Sequence, residues 1–311
     1  MIRKSLEWVG HYGTWLMPAG IIIGCLFQPL AELLRPLLPA TVFFMLTIVL
    51  SRMDIERALV HLRNPKIFLI SLVWGFLVLP LLFVFVLQFV PVSPGLRAAL
   101  IIYATSPPNY AAAALAFVMS LDGALTVATI FAATALHPVI TPAFTDAFTP
   151  DVITVSGIDL GIRLALLIGG ASATAFALSK YLGPARRKAS SGIFDGLNVL
   201  IMVVFAIALM DGIPARMIAQ PGYAFALVCL ATGLHLGLNA LTALLFYVTG
   251  VQRALTLGYA HAGRNIAVVM SVLGSDAPAD AWLFFAMLQF PIYCLPMLLK
   301  PFYNRVLSSG Q

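Results

Sequence analysis

The sequence predicts an all-α membrane protein of ten transmembrane helices, arranged as two inverted five-helix repeats. Three observations predict it. The chain of 311 residues is 61% hydrophobic and only 10% charged, with a mean hydropathy of +0.99. Soluble domains carry about 25% charged residues, so there is too little polar surface here to coat a globule in water. One short segment occurs twice: Tyr103-Ala104-Thr105-Ser106-Pro107-Pro108-Asn109-Tyr110-Ala111 and Tyr259-Ala260-His261-Ala262-Gly263-Arg264-Asn265-Ile266-Ala267. The Tyr, the first Ala, the Asn and the last Ala align, with Pro or Gly just before each Asn. Finally, ten apolar stretches approach the 20 or so residues that cross a bilayer.

The charged, amphipathic segment 1–11 leads into an apolar run with no small-residue cleavage site in place, so it reads as a first span rather than a removed leader. The spans are 12–31, 36–51, 67–90, 96–119, 123–147, 158–181, 194–212, 222–249, 254–273 and 280–300, the fourth and ninth being interrupted. Pro36 and Pro39 open the second, and Asp122-Gly123 separates the fourth from the fifth. Met53-Asp54 closes the second span and Met210-Asp211 the seventh, with Pro65 and Pro221 following at nearly equal spacing. The linker 148–157 then divides the chain into an N-terminal repeat, 1–150, and a C-terminal repeat, 151–311. Five spans per half is odd, so the two copies enter the membrane from opposite sides. Residues 54–63 have the pattern of a short helix lying along the surface.

Basic residues set the orientation. With both termini cytoplasmic, thirteen fall inside (Arg3, Lys4, Arg52, Arg57, Arg63, Lys66, Lys180, Arg186, Arg187, Lys188, Arg253, Lys300, Arg305) and three outside (Arg35, Arg97, Arg216). The net charge of +6 thus belongs to turns beside anionic membrane lipid, not to a nucleic-acid surface. Cys25, Cys229 and Cys294 sit in apolar runs without ligand spacing and read as small core residues. Nothing calls for a cofactor or a metal. No nucleophile elbow, phosphate loop, zinc spacing or acidic pair within one span is present, so the chain does not read as an enzyme.

The candidate site lies at the two breaks, because paired interruptions in corresponding positions of two halves mark transporter binding sites. Thr105 and Ser106 lead into Pro107-Pro108, which removes two amide donors, and Asn109 and Tyr110 come next. Gly263 breaks the ninth span between His261 and the Arg264-Asn265 pair. An arginine at membrane depth is costly and faces a cavity or a partner. Arg264 therefore either holds a carboxylate-like anion bidentately or caps carbonyls of the broken helix. His261 either relays a proton or stays neutral against a freed carbonyl. His137 and His235 read as structural.

On these residues the chain resembles the bile acid:sodium symporter family of the bile/arsenite transporter group. The resemblance is carried by Met53-Asp54 with Pro65 and Pro80, by the Pro107 break followed by Leu121-Asp122-Gly123-Ala124-Leu125-Thr126, and by Gly263-Arg264-Asn265. It implies a core domain holding crossed, broken helices 4 and 9, a panel domain beside it, and transport of organic anions, often with two sodium ions. Asn265 falls on the family's substrate-contacting asparagine, and Tyr110 on a substrate-contacting threonine. The family's sodium positions fall at Ala112, Ala113, Thr126, Ile130 and Ala260, its ninth-helix glutamine at Arg264 and its third-helix glutamine at Gly75. Alanine, isoleucine and glycine side chains offer sodium no oxygen, and a guanidinium repels it, so the metal sites read as degenerate. Arsenite exporters of the group use a fourth-helix cysteine, absent here, while auxin-efflux-type carriers share the crossed-helix plan.

The expectation is a secondary transporter of a small organic anion, working by alternating access in a bacterial inner membrane and not sodium-coupled in the usual family manner. Arg264, Asn109 and Asn265 would contact the substrate. The alternatives are an ordinary sodium-coupled bile-acid-type symporter and a membrane sensor or channel using the same cavity.

Overall fold

Long apolar stretches in this chain form helices because a bilayer leaves backbone groups no partner but each other. The computed structural model describes residues 2–52, 65–110, 112, 116, 119 and 121–309. The expected surface helix at 54–63, the Met53-Asp54 pair and Ala113 lie outside the described residues. Seven described helices are long and apolar enough to cross a membrane: Gln28–Arg52, Lys66–Val86, Gly123–Phe148, Gly157–Gly183, Ser191–Leu209, Pro221–Leu245 and Ala279–Pro296. The two interrupted spans fall below that length because each is broken. The fourth loses its helix at the end of Pro94–Thr105, and the ninth divides into Val251–Ala262 and Ala267–Leu273. The first expected span, 12–31, ends early. Helix Gly13–Leu26 stops at Phe27, which leaves helical geometry, and Pro29 opens the next helix.

The chain forms two compact units, Met1–Met53 with Ala165–Pro221 and Asp54–Leu164 with Gly222–Gln311. Each draws on both sides of the 148–157 linker, so neither coincides with one half of the chain.

In the first unit, helices Ile2–His11 and Gly13–Leu26 pack along Ser191–Leu209. Small residues permit the approach. A Cβ on Gly20 would stand 3.2 Å from the Ala206 Cβ, and one on Gly24 would stand 2.8 Å from the Ile207 carbonyl oxygen. Polar groups close the ends of this layer. Arg52 pairs with Asp195, Arg35 with Asp211 at 2.6 Å, and the Gln28 amide donates to the Gly24 carbonyl at 2.6 Å.

In the second unit, helices Pro94–Thr105 and Val251–Ala262 are buried on every face over Ala98–Thr105 and Ala254–Ala262. All-round burial is what an all-apolar helix requires in a core. Asp122 caps helix Gly123–Phe148, accepting from the Leu125 amide at 2.9 Å, and its own amide donates to Thr256 at 3.0 Å. That contact ties the start of the fifth expected span to the ninth.

Overpacking a close helix contact costs about 1–3 kcal/mol. Gly24→Leu should therefore lower the thermal midpoint of the purified protein by several degrees. Gly237→Ala, where nothing lies within 4 Å of the new carbon, should leave it unchanged or slightly raised.

Candidate functional site

Helix Pro94–Thr105 ends at Ser106, whose backbone turns extended at φ −69°, ψ 150°. Helix Val251–Ala262 ends at Gly263, extended at φ −84°, ψ 97°. The two extended stretches meet as a short antiparallel bridge between Pro108 and Arg264. The Asn109 amide donates to the Gly263 carbonyl at 2.7 Å, and the Asn265 amide donates to the Pro107 carbonyl at 2.8 Å. The pair is reciprocal: Pro107 corresponds to Gly263 and Asn109 to Asn265 in the repeated segment, and each Asn amide goes to the other copy's residue two places before its Asn. Each break supplies the donor and the acceptor that the other lacks, which is how irregular backbone survives away from water.

Arg264 finishes this junction. It is 1% exposed. Its Nε donates to the His261 carbonyl at 2.8 Å, one terminal nitrogen to the Ser106 carbonyl at 2.8 Å, and the other to the Gly75 carbonyl at 3.1 Å. Its guanidinium lies over the Phe76 ring, 5.6 Å from the centroid, within range of a cation–π contact. Each accepting carbonyl has lost an ordinary partner. In a continuous helix the His261 carbonyl would receive the Asn265 amide, which goes instead to Pro107. Gly75 lies in a π-helical turn, Trp74–Val78, in which the Leu79 amide reaches back to Trp74. The next donor in that register belongs to Pro80, which has no N–H.

Of the two roles that the sequence leaves open for Arg264, capping freed carbonyls is the one these contacts describe. Among the described residues it forms no ion pair. The remaining candidates converge here. Thr105 and Ser106 are fully buried and turn their hydroxyls back to Ile101 and Ile102. Asn109 and Asn265 are half-buried. Tyr110 is 7% exposed. His261 is fully buried, and neither ring nitrogen meets a partner among the described residues. Its ring fills the space beside Gly75, where any Cβ would overlap it.

Sequence reading missed two participants. The Tyr103 hydroxyl donates to the Ala262 carbonyl at 2.8 Å, across the junction; its recurrence at Tyr259 was the available signal. Gly75 contributes a backbone oxygen, for which Pro80, five residues on, was the signal.

At the positions where the resemblance places metal ligands, Ala112, Ile130 and Ala260 are buried hydrocarbon. The Thr126 hydroxyl donates to the Asp122 carbonyl at 3.0 Å. Ala113 is outside the described residues.

Replacing Arg264 abandons three carbonyls, and an unsatisfied buried polar group costs about 1–3 kcal/mol. Arg264→Met should lower the thermal midpoint steeply. Arg264→Lys, which keeps the charge but cannot fork to several carbonyls, should recover only part of the loss.

The profile of the sodium bile acid symporter family matches residues 39–206, more than half of the chain, including the first break. No curated protein matches the chain. With its seven long apolar helices, the chain is an integral membrane protein, and it belongs to the sodium bile acid symporter family.

Proposed function

We propose that this protein is a secondary transporter that moves a small organic anion by alternating access, without using sodium in the usual family manner. The observation that carries the reading is the environment of Arg264. A guanidinium stays charged in any protein setting. Here it is buried at the meeting point of two broken helices, solvated by three carbonyls and paired with no carboxylate among the described residues. Such a site carries a net positive field in a low-dielectric surrounding and favours an anion nearby. Family membership supplies the transport class.

In this reading the guanidinium acts through its field and its hold on the junction, and the half-buried Asn109 and Asn265 provide hydrogen bonds to the substrate. The sodium positions argue the same way. Sodium needs several oxygen ligands, hydrocarbon stands at three of the expected ones, and a fixed cation sits where a neutral glutamine is expected. Arg264 supplies permanently the charge that a bound cation supplies elsewhere in the family. We assign the chain ten spans in two inverted five-helix repeats, with crossed helices 4 and 9, a core and a panel, and residues 1–150 and 151–311 as the repeats. The reciprocal Asn109–Gly263 and Asn265–Pro107 bonds support that symmetry. The basic residues support cytoplasmic termini, in a bacterial inner membrane.

The test is thermal stability of the purified protein against a panel of organic anions, in sodium and in choline. A ligand that binds the folded state raises stability as RT ln(1 + [L]/Kd). An anion should raise the midpoint equally in both salts, and vesicles loaded with it should show saturable counterflow, which separates a carrier from a channel or sensor. A midpoint raised by sodium alone, or anion binding that requires sodium, would return the protein to ordinary symport.

A further inference from the structure

We propose that the basic end of the first unit, built around Arg187, binds the phosphate of an anionic phospholipid headgroup. Such a site does not depend on the carrier reading.

Three apolar helices of this unit end together. Gln28–Arg52 stops at Arg52, Gly157–Gly183 stops at Gly183, and Ser191–Leu209 begins at Ser191. Polar bonds tie these ends. Arg52 pairs with Asp195. The Ser179 hydroxyl donates to the Ser51 carbonyl at 3.2 Å, and Arg187 Nη1 donates to the same carbonyl at 3.0 Å. The ends of spanning helices lie where lipid headgroups are. The chain bends here at Gly183, whose φ of 68° and ψ of 168° suit only glycine. Residues 184–189 follow the bend and contain Arg186, Arg187 and Lys188. Arg3 closes that segment, one terminal nitrogen donating to the Ala189 carbonyl at 3.2 Å.

Charge is concentrated at this end. Arg3, Lys4, Arg52, Lys180, Arg186 and Arg187 gather here, and the described acids among them, Glu7 and Asp195, already pair with Arg3 and Arg52. The opposite end of the same helices is balanced, with Glu32 and Asp211 against Arg35 and Arg216. A cluster of about four to eight basic residues beside a membrane attracts anionic lipid. Arg187 is placed to hold the phosphate itself. It is half-buried. Its Nη1 is engaged, and its Nε is enclosed by protein without a partner among the described residues. Its Nη2 is neither enclosed nor bonded to a described residue, so it remains a held and accessible donor. Charged N–H groups of this kind make strong bonds to phosphate oxygens. Exposed Lys180 and Arg186 flank it in sequence, Lys180 following Ser179, whose hydroxyl lies 3.5 Å from Nη1. Exposed Trp8 and Tyr181 are rings of the kind that sit at headgroup level, which favours a lipid over a free phosphate.

The experiment is native mass spectrometry of the purified, delipidated protein, titrated with phosphatidylglycerol or with phosphatidylcholine of the same acyl chains. Phosphatidylglycerol should bind more tightly. One basic residue beside an anionic lipid is worth about fivefold in affinity. Lys180→Gln combined with Arg186→Gln should therefore weaken phosphatidylglycerol by about 25-fold and leave phosphatidylcholine as it was. Arg187→Gln should weaken it at least as much as either of these alone. That variant also removes a donor from the Ser51 carbonyl, so the double variant, whose side chains bond to no described residue, decides the matter even where Arg187→Gln fails to fold. Arg216→Gln, at the balanced end, should change nothing. The lipid site is wrong if phosphatidylcholine binds as tightly as phosphatidylglycerol, or if Arg216→Gln weakens binding as much as the double variant. It is also wrong if glycerol 3-phosphate alone binds as tightly as the lipid, which would make this a site for free phosphate.

Discussion

Backbone hydrogen bonding at membrane depth is the constraint on which the rest of this protein depends. A helix cut open inside a bilayer leaves amides and carbonyls that neither lipid nor distant water can satisfy. Two cuts placed against each other solve the problem, because the Asn109 amide finds Gly263 and the Asn265 amide finds Pro107. What the pair cannot satisfy, Arg264 does. Its fork reaches one carbonyl from each break and a third from the π-helical turn of helix Lys66–Val86. The backbone of the two breaks is therefore held by one connected set of bonds rather than by separate contacts.

That connected set explains why side chains around the junction are so uniformly small or buried. Helices Pro94–Thr105 and Val251–Ala262 must come close enough for backbone-to-backbone bonds of 2.7 and 2.8 Å, and alanine and glycine at Ala104, Ala260, Ala262 and Gly263 allow it. An aromatic layer surrounds them, in which Tyr103 meets Phe83 and Phe284 and Tyr259 meets His235 and Tyr303. The two asparagines are half-buried, which sets them at the border of the junction rather than inside it.

The helical class, the membrane setting and the positions of both breaks were legible in the sequence, for reasons local to each residue. Composition alone rules out water as the main solvent, and Pro107-Pro108 removes two successive amide donors that a continuing helix would need. The repeated Tyr-Ala…Asn…Ala segment pointed to the second break, where glycine alone would have been ambiguous. The pairing between breaks was not legible, because a bond between backbone groups far apart in the chain leaves no mark on residue type. For the same reason the sequence could offer Arg264 two roles but not choose among them: its partners are carbonyls, which every residue has. Pro80 was the exception, since a missing N–H in one turn frees an oxygen in the previous one. The end of the first span was misplaced because Phe27, an apolar residue, gives no sign of the break that Pro29 enforces just after it.

The reciprocal junction also has a consequence for biogenesis. The Pro107 carbonyl and the Asn109 amide emerge from the ribosome well before their partners at Asn265 and Gly263, some 156 residues later. At about 5–20 residues per second, the first break waits about 8–30 s for the second. During that interval the amides and carbonyls of the first break lack their partners in the second, and only water or other protein can satisfy them. The order of synthesis, and not only the final packing, thus makes the first half of this chain dependent on the second.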